Sequence, residues 1–429
     1  MQKEKTQMKK FLVMVLAVML ICVGIISVSS ADNNLFTYKK LDDGTIEITR
    51  VANTIKDEAI PAEIDGYKVT SIGSFAFSTC NNLNNVIIPD TVTVIRCNAF
   101  RSCKNLKSVT IPDSVTTIEE GAFPNCEKLA AFVISPDHPV YVFNNNMLID
   151  KKEMTLLQYL GKKAEPYEVL WGIKRIGNGA FEFTKLNSIV IPNSVTSIGE
   201  YAFRYMNNLK EISIPDSVTV LGSEALFRTP SLTALRIPAG VTEIGSDCFG
   251  WCSKLKAMEV DPENPVYEMR GSLLVNKKEN MVCYHLDVDA GSFEVPEGIE
   301  SIQAAAFQNS IRVKEIIIPD AVKSIGNHAF TNCYAMTGIR LPNGLKTIES
   351  FTFQYCKALK SVTIPEGVTE IGICAFESCS ALTEVIIPAS VTNIDATAFT
   401  KCNRVVCKVV EGSYAQKFCE KNGIKFVIQ

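Results

Sequence analysis

Cysteine is the residue type in this sequence most capable of chemistry, because a thiol can form a bridge, bind a metal or attack a substrate. The chain has 15 Cys among 429 residues. Eight of them stand three residues after a recurrent Phe, and they are Cys80, Cys103, Cys126, Cys252, Cys333, Cys356, Cys379 and Cys402. Elsewhere that position holds Thr184, Met206, Thr229 or Ser310, none of which can form a disulfide. We therefore expect most of the eight thiols to be free, buried packing residues.

The remaining chemistry-bearing residues give no recognised catalytic or metal-binding pattern. The three histidines, His138, His285 and His328, have no metal-ligand spacing. The acidic motif at 285–289 is short and is more typical of a solvated turn than of a cation site. No Ser or Cys lies in a nucleophile motif. We predict no catalytic residue, no metal and no cofactor, so the chain is not expected to be an enzyme; a hydrolase site assembled across repeats is a distant alternative.

The Phe that precedes each cysteine marks a repeat that runs through most of the chain. Successive markers lie 23 residues apart, with one spacing of 22 and two of 58. The markers are Phe77, Phe100, Phe123, Phe181, Phe203, Leu226, Phe249, Phe307, Phe330, Phe353, Phe376 and Phe399. We call these positions the Phe column. A fixed period of this length predicts a solenoid, because one unit cannot bury its apolar face without a neighbour on each side.

Each unit has the alternation of a leucine-rich repeat strand. Leu106, Val109 and Ile111 are spaced as inward-facing residues, and Pro112 lacks a backbone donor, so it should end the strand. Small residues stand where a common leucine-rich repeat carries Asn. A column of threonines should hold the turns through bonds between stacked units instead, and it comprises Thr93, Thr116, Thr196, Thr219, Thr242, Thr369 and Thr392.

The unit, which reads much like Ile-Pro-x-x-Val-Thr-x-Ile-Gly-x-x-Ala-Phe-x-x-Cys, resembles the BspA-like (Treponema pallidum-type) family of bacterial surface leucine-rich repeat proteins. The resemblance covers residues 35–429. It implies a leucine-rich repeat solenoid, mostly β with short helical turns, that is curved, has parallel strands on its concave face and is capped at both ends. Counting the markers gives about twelve turns. The resemblance also implies a secreted or surface-displayed binding protein, a class that includes adhesins for host matrix proteins and for other microbes.

The first 31 residues have the pattern of a secretory signal peptide. Lysines precede an apolar run over residues 11–26, and Ser29-Ser30-Ala31 offers a cleavage site. An uncleaved membrane anchor is the alternative. Removing residues 1–31 leaves 39 basic and 45 acidic residues and a formal charge of −6, which argues against nucleic acid as a partner. The expected location is secreted or cell surface, with membrane contact only through an uncleaved signal segment.

The mature chain divides into two caps and a solenoid. We expect an N-terminal hairpin cap at 32–58, the solenoid at 59–402 and a C-terminal cap at 403–429, where Ser413 should begin a short helix and Gly423 should end it. Inserts at about 131–167 and 257–293 break the period and align at a constant offset of 126 residues. They are either enlarged turns that pack on the same core or ligand-contacting loops, and their apolar alternation favours the first.

A partner is expected to bind the outward strand position two residues before each proline. On the concave face the candidates are Thr110, Ser213, Arg236, Glu294, Ile317, Arg340 and Thr363. The alternative is a ladder whose side chains satisfy one another, including Arg236 with Glu294. A second set of candidates comprises aromatic residues on turns, Trp171, Tyr205, Trp251 and Tyr355. The expected ligand is a protein or a glycan, bound by a monomer; a structural or self-associating envelope component is the alternative function.

Overall fold

The repeat unit folds into two short β-strands and a turn that carries the Phe. In the first strand Val109 and Ile111 are buried and Thr110 faces outward, and Pro112 follows the last strand residue, as predicted. The structure, a computed structural model, describes residues 35–56, 59–287 and 291–429. The predicted signal peptide lies outside these ranges. No helix in the described ranges combines the length and the apolar character needed to cross a bilayer.

The longer strands stack in parallel on what we call the long-strand side. They are β5 (Asn85–Ile87), β7 (Ser108–Ile111), β9 (Ala131–Ile134), β13 (Pro166–Glu168), β15 (Ser188–Val190), β17 (Glu211–Ser213), β19 (Ala234–Ile237), β21 (Ala257–Val260), β25 (Gly291–Glu294), β27 (Val313–Ile317), β29 (Gly338–Arg340), β31 (Ser361–Thr363), β33 (Glu384–Ile387), β35 (Val406–Val409) and β36 (Lys425–Ile428). They form five hydrogen-bonded segments, β5–β9, β13–β17, β19–β21, β25–β29 and β31–β36.

Two-residue strands stack on the short-strand side. They are β6 (Val94–Ile95), β8 (Thr117–Ile118), β14 (Arg175–Ile176), β16 (Ser197–Ile198), β18 (Val220–Leu221), β20 (Glu243–Ile244), β26 (Ser301–Ile302), β28 (Ser324–Ile325), β30 (Thr347–Ile348), β32 (Glu370–Ile371) and β34 (Asn393–Ile394), and the longer β4 (Tyr67–Ile72) precedes them. The Phe turns form the third side, the turn side. Each turn of the solenoid therefore has three sides, which enclose buried apolar side chains.

The Phe column stacks through the centre of this interior. Consecutive Phe rings within an uninterrupted run lie 4.8–5.5 Å apart between centroids. At the two 58-residue gaps, Tyr159 and His285 take the missing place, 5.2 Å from Phe181 and 4.9 Å from Phe307. Tyr159 and His285 each lie 22 residues before the next marker of the Phe column. The column thus has fourteen positions rather than the twelve that the markers indicate.

Hydrogen bonds join each turn to the next, as predicted for the threonine column. Both the N–H and the hydroxyl of Thr219, for example, donate to the carbonyl of Thr196. The cysteine column does the same on the turn side. Seven thiols donate to the carbonyl of the Phe-column residue one turn earlier at 2.9–3.2 Å, and they are Cys103, Cys126, Cys252, Cys333, Cys356, Cys379 and Cys402. The thiol therefore satisfies a buried carbonyl as well as filling space.

The residue two positions after each Phe-column marker has a left-handed backbone. Its φ lies between 55° and 64° in all twelve units, and glycine never occupies it. This conformation costs about 1–2 kcal/mol for an L-residue. Hydrogen bonds between turns offset that cost, as where the N–H of Tyr205 donates to the carbonyl of Phe227 and the N–H of Tyr355 to that of Glu377.

Each insert folds into an antiparallel three-stranded meander inside the solenoid. The first comprises β10 (Tyr141–Asn144), β11 (Met147–Asp150) and β12 (Thr155–Tyr159), and the second β22 (Tyr267–Arg270), β23 (Leu273–Asn276) and β24 (Met281–His285). The third strand of each meander pairs in parallel with the short-strand side, β12 with β14 and β24 with β26. The two meanders share their register, including the irregularity after Leu148 and after Leu274.

The meanders divide the apolar core into three clusters. The N-terminal cluster runs from Phe36 to Leu160, the middle cluster from Met147 to Leu286 and the C-terminal cluster from Leu273 to Cys419. Within one strand, adjacent residues belong to different clusters: Leu148 packs in the N-terminal cluster and Met147 in the middle one. Each insert is therefore a partition with apolar packing on both faces, rather than a loop on the surface.

A hairpin packs at one end of the solenoid and a helix at the other. Strand β1 (Phe36–Lys40) pairs antiparallel with β2 (Ile46–Val51), which in turn pairs in parallel with β4; a short strand, β3 (Glu63–Ile64), pairs antiparallel with β4. At the other end, helix α1 (Tyr414–Asn422) begins after Ser413, whose side chain accepts a hydrogen bond from the N–H of Gln416, and ends at Gly423 with φ 65°, as the sequence predicts.

Candidate functional site

The outward strand positions form one continuous line across each segment of the long-strand side. In the strand register Val190 lies between Glu168 and Ser213, Ile317 lies between Glu294 and Arg340, and Thr363 lies beside Ile386. We call this line the outward column. Its members are Ile87, Thr110, Val133, Glu168, Val190, Ser213, Arg236, Glu259, Glu294, Ile317, Arg340, Thr363, Ile386, Lys408 and Val427. Most of the predicted candidates are exposed, and Thr110 and Ile317 are half-buried.

Two members at the inserts were missed by sequence reasoning. Val133 and Glu259 lie on β9 and β21, the first strand of each insert, which belong to the long-strand side. The signal for them was present, because Leu129-x-x-Phe132-x-Ile134 keeps the strand pattern although the usual proline is displaced to Pro136.

The arginines of the outward column already have carboxylate neighbours, but not the predicted one. The pairing of Arg236 with Glu294 is wrong, because the strand beside Arg236 carries Glu259 and the strand beside Glu294 carries Ile317. Arg236 instead pairs with Asp261, and lies 3.7 Å from Asp216. Arg340 pairs with Asp320 at 2.9 Å. These ion pairs are exposed and each is worth only about 0–1 kcal/mol, so a partner's carboxylates can replace them.

A shallow groove interrupts the outward column near its middle. Strands β17 and β19 belong to different hydrogen-bonded segments. A groove of about 290 Å³ opens there, lined by Val190, Ser213 and Arg236 among others. Val190 is 45% exposed, and so is Ile87 farther along the column. The long-strand side thus offers apolar contact area beside guanidinium groups, a combination typical of recognition surfaces.

The aromatic candidates divide into one connected group and two separate residues. Tyr205 stacks on Phe183 at 4.7 Å, and Arg228 lies over both Tyr205, at 5.5 Å, and Trp251, at 4.7 Å. These residues occupy the left-handed position in four consecutive turns of the turn side. Trp171, 83% exposed, lies instead in the turn between β13 and β14. Tyr355 occupies the same left-handed position as Tyr205 but in a later run of turns.

A charged cluster lies next to this aromatic group. Arg204 donates to Glu182 at 2.8 Å and to Glu224 at 2.9 Å. Burial raises the pKa of Glu182 against the opposing effect of Arg204. One oxygen of Asp247 is buried without a hydrogen-bond partner among the described residues. Burial, with a further contribution from the charge of Glu224, raises the pKa of Asp247 to about 8.

Asp247 should make the protein less stable as the pH rises. A carboxyl whose folded pKa is raised contributes stability below its unfolded pKa of about 4, and that contribution is lost as the pH rises to about 8. Asp247→Asn should therefore raise the free energy of unfolding at pH 8 by about 1–3 kcal/mol and leave it nearly unchanged at pH 4. Thermal melts at several pH values check this, with exposed Asp137→Asn as the control. Parallel melting profiles for the parent and Asp247→Asn would contradict it.

The His138 side chain holds the backbone of the first insert in place through hydrogen bonds. Nδ1 of His138 accepts from the N–H groups of Val140 and Tyr141 at 3.1 Å, and its other ring nitrogen reaches the carbonyl of Pro112. Its counterpart in the second insert is an amide, Asn264, with equivalent bonds. Within the described ranges no group of His, Cys, Asp and Glu could hold a metal ion.

Two of the column thiols, Cys80 and Cys252, are poor nucleophiles because they are buried. Burial raises the pKa of Cys80 to about 12 and that of Cys252 to about 11, so both are protonated at neutral pH. All fourteen cysteines in the described ranges are free in the structure. A protonated thiol is the donor that the carbonyl bonds between turns require.

Comparison with known families matches the repeat. The model of the BspA type leucine rich repeat region matches in six copies over residues 62–161, 174–278 and 279–406. The chain belongs to the BspA-type leucine-rich repeat family. This confirms the family and the solenoid fold predicted from the sequence. BspA-type proteins are leucine-rich repeat proteins, and the scaffold of this chain is accordingly a repeat solenoid.

Solved structures with the same architecture include two bacterial proteins. A leucine rich cell surface protein from Faecalibacterium prausnitzii A2-165 is 29% identical, with 92% of this chain and 98% of that chain covered and a TM-score of 0.56. The pneumococcal vaccine antigen PcpA is 19% identical, with 94% of this chain and 98% of that chain covered and a TM-score of 0.53, which shows a shared fold. A search of curated proteins gives no match.

Proposed function

We propose that this BspA-type chain is an exported, non-catalytic recognition protein, secreted or held at the cell surface, that binds a protein or a glycan through its outward column. The observation that carries the proposal is the column itself. It places varied exposed side chains in one register on a backbone that is fixed by ladder hydrogen bonds and a packed core. Such a surface can change its side chains without disturbing the fold.

Two further observations support this function. Export follows from the signal peptide predicted at 1–31, and the similar F. prausnitzii protein is described as a cell surface protein. The absence of a recognised nucleophile motif in the sequence and the packing roles of the described thiols support a non-catalytic role. The expected ligands are adhesin targets, namely proteins of the host extracellular matrix or components of other microbes. Capture from a panel of matrix proteins and glycans is the direct test.

Reversing the charge of the outward column should weaken ligand binding at least tenfold. Arg236→Glu combined with Arg340→Glu replaces two guanidinium groups that suit carboxylate partners, and a tenfold loss corresponds to about 1.4 kcal/mol. The fold should tolerate the change because both side chains are exposed. The measurement is the affinity for a ligand captured from the panel, by surface plasmon resonance, together with the melting temperature.

A matched double variant controls for net charge. Lys152→Glu with Lys278→Glu makes the same charge change at exposed, equivalent positions of the two inserts and should bind as the parent does. Unchanged affinity in the arginine variant, with an unchanged melting temperature, would show that the outward column is not the binding surface. The inserts are packed partitions, so the aromatic turns would then be the next candidate.

A structural envelope role is the second candidate, and one observation favours it. In the described chain β36 pairs with β35 alone, and its Val427 is 47% exposed. An open strand edge with exposed apolar residues can pair with a second copy. Capture of only the cell's own envelope components, together with concentration-dependent assembly in light scattering, would favour this role over recognition of a foreign partner.

A further inference from the structure

A cleft separate from the outward column opens on the turn side, where the first insert returns to the solenoid. Its volume is about 330 Å³, and Phe123, Tyr159 and Phe183 form part of its wall. The cleft exists because the insert interrupts the stacking of turns between Phe123 and Phe181. A volume near the lower end of the usual range for ligand sites suits one small ring-shaped molecule better than a length of polypeptide.

One polar group in the wall of the cleft, the Thr184 hydroxyl, is buried and has no partner among the described residues. Gln158 is 6% exposed, Tyr159 is 3% exposed and Thr184 is 8% exposed. The Thr184 hydroxyl is buried with no hydrogen bond in the described chain. Neither the Gln158 amide nor the Tyr159 hydroxyl makes a hydrogen bond to any other described residue. Buried polar groups are almost always bonded, so the Thr184 hydroxyl indicates a ligand in the cleft that supplies its partner.

At the second insert, side chains fill the position that is equivalent to the cleft. The residues equivalent to Tyr159 and Thr184 at the offset of 126 are His285 and Ser310, and they bond to each other at 2.7 Å. The residue equivalent to Gln158 is Tyr284, whose ring packs against Phe249 at 5.5 Å. In the second insert the side chains of His285 and Ser310 thus bond to each other. In the first insert the equivalent side chains, with that of Gln158, face a cavity.

The charge balance of the cleft favours an anion. Its acidic residues are already paired, Glu127 with Lys104 at 3.2 Å and Glu182 with Arg204 at 2.8 Å. Lys185 has no ion-pair partner among the described residues. Burial, together with the nearby charge of Lys185, lowers the pKa of Lys162. The Lys162 ammonium donates to the carbonyl of Glu127 at 2.9 Å, and both lysines line the cleft, where a bound carboxylate would be attracted to their charges.

We propose that this cleft binds a sugar that carries a carboxylate, such as a uronic acid unit of a glycan. A pyranose ring has apolar C–H faces that can lie against Phe123 and Phe183, and a rim of hydroxyls that can bond to Gln158, Tyr159 and Thr184. Its carboxylate would lie beside Lys162 and Lys185. The acidic sugar thus supplies a hydrogen-bond partner for the Thr184 hydroxyl and an anion for Lys185.

The test is titration of the full mature chain with D-glucuronate, D-glucose and acetate, followed by calorimetry or ligand-observed NMR at constant ionic strength. D-Glucuronate should bind saturably, D-glucose at least tenfold more weakly and acetate without saturation, because only the first ligand offers both the ring and the charge. Thr184→Val removes an unpartnered hydroxyl and should reduce glucuronate affinity at least fivefold without lowering the melting temperature. Gln158→Tyr should close the cleft as Tyr284 does and abolish binding.

Ser310→Ala is the matched control at the second insert. It removes the bond to His285, so it should lower the melting temperature and leave glucuronate binding unchanged. Arg236→Glu with Arg340→Glu should also retain glucuronate binding, which separates the cleft from the outward column. Failure of both sugars to bind, or equal binding by parent and Gln158→Tyr, would overturn the proposal without affecting the proposed function of the outward column.

Discussion

Replacing Phe330 with alanine should lower the free energy of unfolding by about 3–5 kcal/mol. The Phe330 ring is fully buried and stacks on Phe307 at 5.2 Å and on Phe353 at 5.5 Å. Because the rings above and below are held by their own turns, they cannot move together to fill the space, and the cavity term adds to the loss of apolar burial. Denaturant unfolding followed by circular dichroism measures the effect.

Phe330→Leu is the control for this substitution. Leucine occurs naturally in the column at position 226, so the site can accept it, and the cost should be no more than about half that of alanine. A long array of repeats need not unfold in a single step, so the transition midpoint should be followed by tryptophan fluorescence as well. An alanine variant with the parent's midpoint would show that the stacked rings do not carry the core.

Alanine at Leu273 and at Leu274 should each cost about 2–5 kcal/mol, but in different parts of the molecule. Both side chains are fully buried on β23. Leu273 packs in the C-terminal cluster and Leu274 in the middle cluster, because successive strand residues face opposite sides of the partition. Hydrogen exchange read by mass spectrometry should show faster exchange in β26–β34 for Leu273→Ala and in β14–β20 for Leu274→Ala.

One variant in the first insert and one at the end of a strand in the second provide the comparison. Leu148→Ala should loosen the N-terminal cluster, as its position on β11 requires. Arg270→Ala, at the end of β22, removes no buried apolar group and should change stability by less than about 0.5 kcal/mol. If Leu273→Ala and Leu274→Ala accelerated exchange in the same strands, the meander would not separate two cores.

The part of the fold that follows from local sequence rules was predictable. Proline must end a strand that needs its N–H, so the boundary at Pro112 is visible in the sequence. Threonine in register predicts bonds between turns. The family could be recognised for the same reason, since the unit repeats these local constraints. The solenoid was therefore predictable from the sequence alone.

Other features depend on contacts that the sequence does not show. Tyr159 and His285 complete the Phe column although neither matches the marker, and only the spacing of 22 residues to the next Phe points to them. The left-handed column accepts Thr, Ser, Asn, Arg and aromatic residues alike, so no residue type signals it. The sequence does not predict the cleft, because only the structure shows that the Ser310 hydroxyl makes a hydrogen bond and the Thr184 hydroxyl does not.

Because the two inserts lie at a constant offset of 126 residues, the segment from one insert to the next can be regarded as a repeating unit of the solenoid. It begins and ends on meanders that share their register, so another copy could follow it without a new kind of junction. Each added copy would extend the solenoid by about five strand spacings, or roughly 24 Å. Duplication of this segment in a gene would therefore lengthen the protein by a fixed step, while keeping the chemistry of its ends.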